Sequence, residues 1–285
     1  MTRRVLLAGG IGLLQVQERP RFQTVELRAG EIALLLGNEY DHGSGRTGYI
    51  GIWSLTSVHE PTNLFVPHFA GWIHRRNRAN VTRISDTEAV IQHLAADGTP
   101  GTRQTFRLIP PYYFDCLYTG DSVSIGGTSY MNGPEDPGVY FLDPEMKWRR
   151  HYDSLHGSAA SILPAGMPVP EVEKAANSPY PRGTARFSDT FAEHRYHPDY
   201  ALFYGRFRGM VLVHMFPPRS NVIPYTSPSG GGLRPNRQTR NPAWDWRVTL
   251  TDVKGGFLVR AMYKRCVDDA DVLAEYRRWT RLRYP

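Results

Sequence analysis

Cysteine is scarce in this chain: its 285 residues include two cysteines, Cys116 and Cys266, which lie far apart. Neither belongs to a Cys-x-x-Cys motif, so the usual cysteine-based zinc and redox motifs are absent. The two cysteines are compatible with one disulfide or with two buried free thiols. They therefore do not indicate the redox compartment in which the protein works.

Long hydrophobic runs and several familiar motifs are also missing. No apolar stretch approaches the roughly 20 residues that a membrane-spanning helix requires, and we expect no membrane partner. The chain has no His-Glu-x-x-His, Gly-x-Ser-x-Gly, P-loop or EF-hand sequence, which argues against the corresponding catalytic, nucleotide and calcium sites. Ten histidines are present, but their spacing does not predict a zinc site. We therefore predict neither a metal nor a cofactor.

The chain is basic, but its basic residues are scattered. A net charge of +7 and a pI near 9.5 favour an acidic partner such as an anionic glycan, a nucleic acid or a membrane surface. The densest groups are residues 74–78, 147–150 and the arginines near the C-terminus, and no lysine-rich tail is present. We therefore expect no nucleic-acid partner, while an anionic glycan stays open.

The first residues are similar to an export signal. Arg3 and Arg4 precede a short apolar stretch that ends at Leu14, as in twin-arginine signals, although no Ala-x-Ala cleavage site follows. A plain first β-strand is the rival interpretation. We expect residues 1–19 to be an export signal or an N-terminal extension. A periplasmic or secreted protein is then favoured, with a cytoplasmic location as the alternative.

The rest of the chain is typical of β-structure. Short apolar or alternating segments are separated by turn residues, and glycine, proline and tyrosine number 27, 22 and 16. Residues 244–250 and 257–264 alternate between apolar and polar, as antiparallel strands with one solvated side do. Twelve strands are predicted in this way; they cover residues 25–27, 32–36, 49–55, 80–85, 89–93, 105–109, 112–118, 138–142, 201–207, 210–216, 244–250 and 256–264.

One helix is predicted, over residues 268–281. Asp268 or Asp269 can cap it, and Val272, Tyr276 and Trp279 follow the i, i+4, i+7 spacing of a buried helix face. Residues 157–183, rich in proline, are expected to form a long loop. The predicted fold is all-β: a large antiparallel β-sandwich over residues 20–285 that forms a single domain and ends in one α-helix.

Three clusters carry residues suited to sugar chemistry. The first is the glycine-rich stretch 37–49, which holds Glu39, His42, Arg46 and Tyr49 and leads to Trp53. Its glycines would let the backbone approach a ligand closely. A hairpin loop whose polar side chains satisfy the turn is the alternative. The second cluster, residues 151–157, includes His156, for which a plain surface histidine is equally compatible.

The third cluster covers residues 193–206. His194 and His197 lie next to Pro198, which disfavours a helical metal pair, and Tyr204 and Arg206 alternate onto one strand face. A tyrosine can act as a base once a cation lowers its pKa, and arginine can bind a carboxylate through two hydrogen bonds. The alternative is a core aromatic with a solvated neighbour. Further along, an apolar run encloses His214, which we expect to be a core histidine.

The strand pattern, the export-like N-terminus and the His/Tyr/Arg clusters together resemble the galactose-mutarotase-like β-supersandwich proteins. This resemblance covers most of residues 20–265 and includes no diagnostic motif, so it transfers no residue role. That group contains sugar epimerases, polysaccharide lyases and some glycoside hydrolases. The resemblance therefore implies a glycan substrate.

The first functional hypothesis is an enzyme that cleaves a polysaccharide or oligosaccharide, by elimination beside a uronate or by hydrolysis. A non-catalytic glycan-binding module and a mutarotase-like sugar epimerase are the alternatives. The predicted catalytic residues are His42, His156, Tyr204 and Arg206. The predicted substrate-binding residues are Glu39, Arg46, Tyr49, Trp53, His194, His197 and Trp244.

Overall fold

The computed structural model describes residues 23–40, 49–71, 78–120, 124–131, 138–152, 161–164, 196–227, 243–249, 255–265 and 267–283. These residues form strands and one helix, with the following bounds: β1 Thr24–Ala29, β2 Ile32–Tyr40, β3 Tyr49–Ser57, β4 Phe65–Gly71, β5 Arg78–Arg83, β6 Glu88–Leu94, β7 Pro100–Ile109, β8 Tyr113–Thr119, β9 Ser124–Met131, β10 Val139–Leu142, β11 Trp148–Tyr152, β12 Ser161–Pro164, β13 Leu202–Phe207, β14 Met210–Met215, β15 Val222–Ser227, β16 Ala243–Thr249, β17 Phe257–Arg265 and α1 Asp269–Arg283.

The strands form two antiparallel sheets. The seven-stranded sheet has the order β1-β2-β3-β4-β9-β16-β15, and the ten-stranded sheet has the order β12-β11-β10-β13-β14-β17-β8-β7-β6-β5. Alternate residues of both sheets point into one shared apolar core, which includes Leu34 and Ile52 from one sheet and Phe106, Phe203 and Leu212 from the other. The predicted all-β sandwich with one C-terminal helix is confirmed.

The helix α1 covers the outer face of the ten-stranded sheet. Its side chains Val272, Tyr276 and Trp279 pack on a second apolar cluster, to which β14 contributes Val211 and Val213. Every residue of β14 is buried because the strand faces the shared core on one side and α1 on the other. This explains why β14 is a continuous apolar run rather than an alternating one.

The helix begins at its predicted cap and ends at Arg283, two residues beyond the predicted end. The Asp271 N–H donates to the Asp268 carboxylate at 2.8 Å, so Asp268 is the N-cap. Asp269 and Asp271 lie in the first turn and Arg281 and Arg283 in the last, and each sign complements the helix dipole.

Strand prediction succeeded where apolar periodicity was clear and failed where glycine or charge obscured it. The twelve predicted strands are present, with ends shifted by a few residues. The additional strands β4, β9, β11, β12 and β15 were not predicted. In β9, Gly127 lies under the ring of Trp246: a Cβ atom built at Gly127 would lie 2.5 Å from the indole Nε1. From the sequence alone, glycine at this position predicts a turn rather than a strand.

Other expectations have different outcomes. Cys116 is a buried free thiol, so for it the free-thiol alternative holds. The segment 157–183 contains β12, and its other residues lie outside the described part of the chain, as does the export-like segment 1–19. The cellular location and the single-domain boundary stay predictions. No helix among the described residues is long and apolar enough to cross a membrane.

Candidate functional site

The predicted pair Tyr204 and Arg206 lies on the outer face of the ten-stranded sheet, beside the first turn of α1. Strand alternation directs both side chains to the same face, as predicted, and the antiparallel register sets Tyr204 opposite Tyr140 of β10. Side chains of four elements meet here. We call this group the tyrosine–arginine cluster; its members are Tyr140, Trp148, Arg150, Tyr204, Arg206 and Asp269.

Aromatic and cationic contacts hold the cluster together. The rings of Tyr140 and Tyr204 are stacked, with centroids 4.9 Å apart and planes 14° apart, and Trp148 meets Tyr204 edge-on at 5.3 Å. The guanidinium carbon of Arg206 lies 5.1 Å from the Tyr140 centroid and 5.4 Å from that of Tyr204. Arg150 donates a hydrogen bond to the Tyr140 hydroxyl. Two arginines are thus placed against a stacked pair of tyrosines.

Asp269 connects the cluster to α1. The Tyr204 hydroxyl donates to the Asp269 carboxylate, and Arg206 forms an ion pair with the same oxygen. Arg206 also donates to the Tyr204 hydroxyl at 3.0 Å. The side chains of Arg206 and Asp269 are 37% and 33% exposed, whereas Tyr204 is fully buried. The accessible part of the cluster is therefore a charged pair that can meet the hydroxyl or carboxylate groups of a ligand.

This placement disfavours the predicted role of Tyr204 as a general base. Burial raises the pKa of Tyr204 well above its ordinary value, the hydrogen bond to Asp269 and its negative charge raise it further, and the nearby Arg206 opposes them. An efficient base has a pKa near the working pH. The structure favours the alternative interpretation, a core aromatic beside a half-exposed arginine.

The predicted stacking residue Trp244 is in the core. It is 1% exposed, and its ring lies directly over Gly205 of the opposite sheet. A sugar cannot reach this ring, so the expectation that Trp244 binds substrate is wrong for this structure. Trp53 lies against Gly37 and is only partly buried, and its predicted contact with substrate stays a prediction.

His197 lies in the turn before β13. Its backbone N–H donates to Leu142 at 2.7 Å, its Nδ1 accepts from the Asp199 N–H at 3.2 Å, and its ring packs on Tyr200 at 4.9 Å. These contacts stabilise the turn that leads into the cluster. A role for His197 in substrate binding stays a prediction.

The remaining predicted residues cannot be placed relative to the cluster. The strands that flank residues 41–48 are neighbours, with Tyr40 opposite Tyr49, but the side chains of Glu39 and Tyr49 lie outside the described part of the structure. His42, Arg46, His156 and His194 lie outside it altogether. Of the predicted site residues, the structure thus brings Tyr204 and Arg206 together, and the meeting of the three sequence clusters stays a prediction.

Sequence reasoning missed the partners that complete the cluster. Asp269 is 65 positions from Tyr204 and was considered only as a helix cap. Trp148 and Arg150 belong to a short basic group, and Tyr140 to an ordinary apolar strand. Their meeting depends on strand order, for which a single sequence carries no local signal.

A second polar group connects α1 to β8. Tyr112 and Tyr113 donate to Glu275 at 2.7 and 2.5 Å, Arg278 donates to it at 2.9 Å, and the Lys264 nitrogen lies 3.5 Å away. Burial acts to raise the pKa of Glu275, but the hydrogen bonds from Tyr113 and Tyr112 and the charges of Arg278 and Lys264 outweigh it. The pKa lies below its ordinary value, so Glu275 is a carboxylate at neutral pH.

Two buried histidines are neutral at pH 7. Burial lowers the pKa of His93, opposed by its hydrogen bond to Gln104, whose Oε1 lies 2.7 Å from the His93 Nε2. Burial lowers the pKa of His214 to about 3, and its ring stacks on Phe203 at 4.9 Å. The prediction that His214 is a core histidine is confirmed.

No group of three or more metal-binding side chains (His, Cys, Asp or Glu) occurs within the described ranges.

Comparison with known proteins gives likenesses of fold only. No protein-family profile matches the chain, and no curated protein sequence matches it. A solved structure of a candidate aldose 1-epimerase from Escherichia coli K12 has a TM-score of 0.47 at 9% identity, over 86% of this chain and 100% of that chain. The solved structure of HI1317 has a TM-score of 0.46 at 9% identity, over 86% of this chain and 100% of that chain.

The glucosidase II alpha subunit is more distant, with a TM-score of 0.27 at 8% identity, over 86% of this chain and 32% of that chain. At these scores and identities the likenesses assign no activity and no residue role.

Proposed function

We propose that the protein binds a sugar and interconverts its anomers, as an aldose 1-epimerase does. The observation that carries this choice is the environment of Tyr204. Elimination beside a uronate needs a base strong enough to remove the C5 proton. Tyr204, the tyrosine predicted for that role, is buried, and its hydroxyl donates a hydrogen bond to Asp269. With Tyr204 occupied in this way, the histidines are the remaining candidates for proton transfer.

Anomer interconversion suits histidines. The sugar ring opens when a proton leaves the C1 hydroxyl and another reaches the ring oxygen, and the ring closes again on the other face of C1. Both steps need an acid and a base that work near neutral pH, where imidazole titrates. His42 and His156 are the proposed pair, one taking the hydroxyl proton and the other protonating the ring oxygen.

Hydrolysis finds less support among the described residues. It requires two carboxyl groups roughly 5–10 Å apart on either side of the scissile bond. Asp199, in the turn before β13, forms an ion pair with Arg219 at 2.9 Å. Asp269, the carboxylate of the tyrosine–arginine cluster, is paired with Arg206. Because each of these carboxylates is already paired with an arginine, neither is a good candidate for the catalytic acid or base of a hydrolase.

A non-catalytic glycan-binding module is the second candidate, and the tyrosine–arginine cluster is the observation that favours it. Half-buried Trp148 offers apolar surface beside the charged pair Arg206–Asp269. Sugar rings are recognised by this combination of an apolar face with planar polar groups at its rim. Such a surface can bind a glycan without transferring a proton.

One experiment separates these functions. Freshly dissolved α-anomers of glucose, galactose and related aldoses are followed by polarimetry and exchange NMR, with the wild type beside His42→Ala and His156→Ala variants. Acidic and neutral polysaccharides are assayed in parallel for unsaturated products and new reducing ends. We expect accelerated anomer exchange that falls at least ~100-fold in either histidine variant, the size of a lost general acid or base.

Other outcomes overturn the proposal. Unsaturated products would establish elimination, and new reducing ends without them would establish hydrolysis. Glycan binding with none of the three activities would support the binding module. Anomer exchange that persists in both histidine variants would support the proposed reaction but exclude His42 and His156 as its catalytic pair.

A further inference from the structure

A basic surface surrounds the C-terminal half of α1. The helix carries four arginines within its last seven residues, and two arginines of the neighbouring strands β7 and β17 lie beside it. We call this set the arginine surface; its members are Arg107, Arg260, Arg277, Arg278, Arg281 and Arg283. It is separate from the tyrosine–arginine cluster, which lies at the other end of the helix.

Two hollows indent this surface. The first, of about 460 Å³, is lined by Ala274, Arg277, Arg278, Arg281 and Leu282. The second, of about 240 Å³, lies between α1 and the sheet, and Leu282 also borders it, together with Arg107, Arg260 and Arg283. The two hollows thus adjoin at one leucine.

Negative charge balances three of the six arginines: Arg107 pairs with Glu88, Arg260 with Asp115 and Arg278 with Glu275. The lining of the second hollow includes one carboxylate, Asp115, which Arg260 holds through two hydrogen bonds of 2.7 and 2.9 Å. Within the described part of the chain, Arg277, Arg281 and Arg283 form no ion pair with a carboxylate, although Arg277 donates to the Tyr200 hydroxyl at 3.3 Å. Arg277 and Arg281 line the first hollow and Arg283 lines the second, so these three guanidinium groups lie on the two sides of Leu282.

The helix dipole explains only part of this arrangement. Arg281 and Arg283 complement the negative end of the dipole, but that effect is confined to the last turn, and Arg277 lies before it. The dipole also gives no reason for Leu282, whose side chain is 78% exposed between the two hollows.

We infer that the arginine surface binds a carboxylated glycan chain, with its uronate groups on Arg277, Arg281 and Arg283 and a sugar face against Leu282. Guanidinium matches carboxylate geometry through two parallel hydrogen bonds, which an ammonium group cannot do. The choice of a glycan depends on the proposed sugar function. The arginine surface would hold the polymer at a distance from the residues that act on a sugar unit.

A nucleic acid fits this surface less well. Proteins that bind single strands stack bases on exposed aromatic rings, but the aromatic residue that lines the second hollow, Trp279, is 3% exposed. Tracks of lysine and arginine along a flat or extended face are the usual contact with duplex phosphates. The arginine surface is indented and interrupted by a leucine.

Binding of polygalacturonate to the full chain tests this inference. Affinity is measured by calorimetry for the wild type, for Arg281→Gln/Arg283→Gln, and for the control Arg28→Gln/Arg219→Gln. Arg28 and Arg219 are 73% and 79% exposed elsewhere on the protein, and each double variant lowers the net charge from +7 to +5. We expect affinity to fall at least ~10-fold in the first variant and less than ~2-fold in the control, since two charge-assisted contacts are lost.

Three results would overturn the inference: no binding of polygalacturonate, equal losses in both double variants, or tighter binding of a DNA duplex of matched charge. Equal losses would mean that net charge alone attracts the polymer. Neutral dextran serves as the uncharged comparison and is expected to bind no better to the wild type than to the variants. Anomer exchange is measured on the same samples, so that loss of binding with exchange intact separates this inference from the proposed function.

Discussion

The indole ring of Trp244 occupies the space that a side chain at position 205 would fill. A Cβ atom added at Gly205 would lie 1.8 Å from the Trp244 ring, far inside contact distance. Two other tryptophans use glycine in the same way: Trp53 covers Gly37 and Trp246 covers Gly127. The rings of Trp244 and Trp246 are thereby part of the core, at 1% and 2% exposure, whereas Trp53 is only partly buried.

Gly205→Ala tests this packing. Because the Trp244 ring is buried, it cannot move away without disturbing the core, and we expect a loss of about 3 kcal/mol or more in unfolding free energy. Urea unfolding measures the change. Gly255→Ala is the matched control, since no atom lies within 4 Å of a Cβ added there, and less than ~0.5 kcal/mol is expected. Equal effects of the two substitutions would contradict this account.

Tyr204→Phe separates the structural role of this tyrosine from the catalytic one. The substitution removes the hydrogen bonds that the hydroxyl makes with Asp269 and Arg206 but leaves the ring stack on Tyr140. We expect a loss of about 1–2 kcal/mol in unfolding free energy, because a bond to a charged group is removed, and an anomer-exchange rate within ~3-fold of wild type. A ~100-fold loss of rate in a stably folded variant would restore Tyr204 as a catalytic residue.

At the scale of elements, Glu275 is the principal polar contact between α1 and the sheet. Four groups approach its carboxylate: Tyr112 in the turn before β8, Tyr113 of β8, Lys264 of β17 and Arg278 of the helix itself. Because they lower its pKa, the ionised form stabilises the fold. That contribution is present above the ordinary carboxyl pKa, near 4.5, and is lost as pH falls through the lower pKa of the folded state.

Glu275→Gln should therefore destabilise the packing of α1 on the sheet. The amide keeps the shape but loses the charge that holds Lys264 and Arg278, and we expect a loss of about 2–3 kcal/mol at pH 7. The difference from wild type should shrink as pH falls below 4.5, which thermal unfolding across pH would measure. Glu145→Gln is the control: its ion pair with Lys147 is exposed, so less than ~0.5 kcal/mol is expected. A difference that does not depend on pH would exclude the charge as its cause.

The helix and most strands could be predicted because their signals are local. A cap followed by apolar residues at i, i+4 and i+7 defines α1, and alternation defines β16 and β17. The strand β9 could not be predicted, since its glycines have meaning only beneath Trp246. The partners of Tyr204 could not be predicted either, because alternation fixes which side chains share a strand face but not which strand lies next to it.

At the scale of the whole molecule, both faces of the ten-stranded sheet are buried where α1 crosses it, and titratable groups are enclosed there. His214 lies within β14, where burial lowers its pKa to about 3. The unfolded chain takes up this proton near pH 6.5, so between pH 6.5 and 3 the unfolded state binds more protons than the folded state. Folding stability must therefore decrease as the pH is lowered through this window. His93, whose pKa is also lowered by burial, adds to the effect.

The expected size of this effect follows from the shift. Each pH unit below 6.5 costs about 1.4 kcal/mol for a histidine that stays neutral when folded, so His214 alone removes about 2 kcal/mol between pH 7.5 and 5. Thermal unfolding at steps of half a pH unit should show this slope. In His214→Leu the slope should flatten, even if stability at pH 7.5 is lower. A wild-type melting temperature that is constant from pH 7.5 to 5 would mean that His214 becomes protonated within the folded protein, and therefore that water reaches the centre of the sandwich.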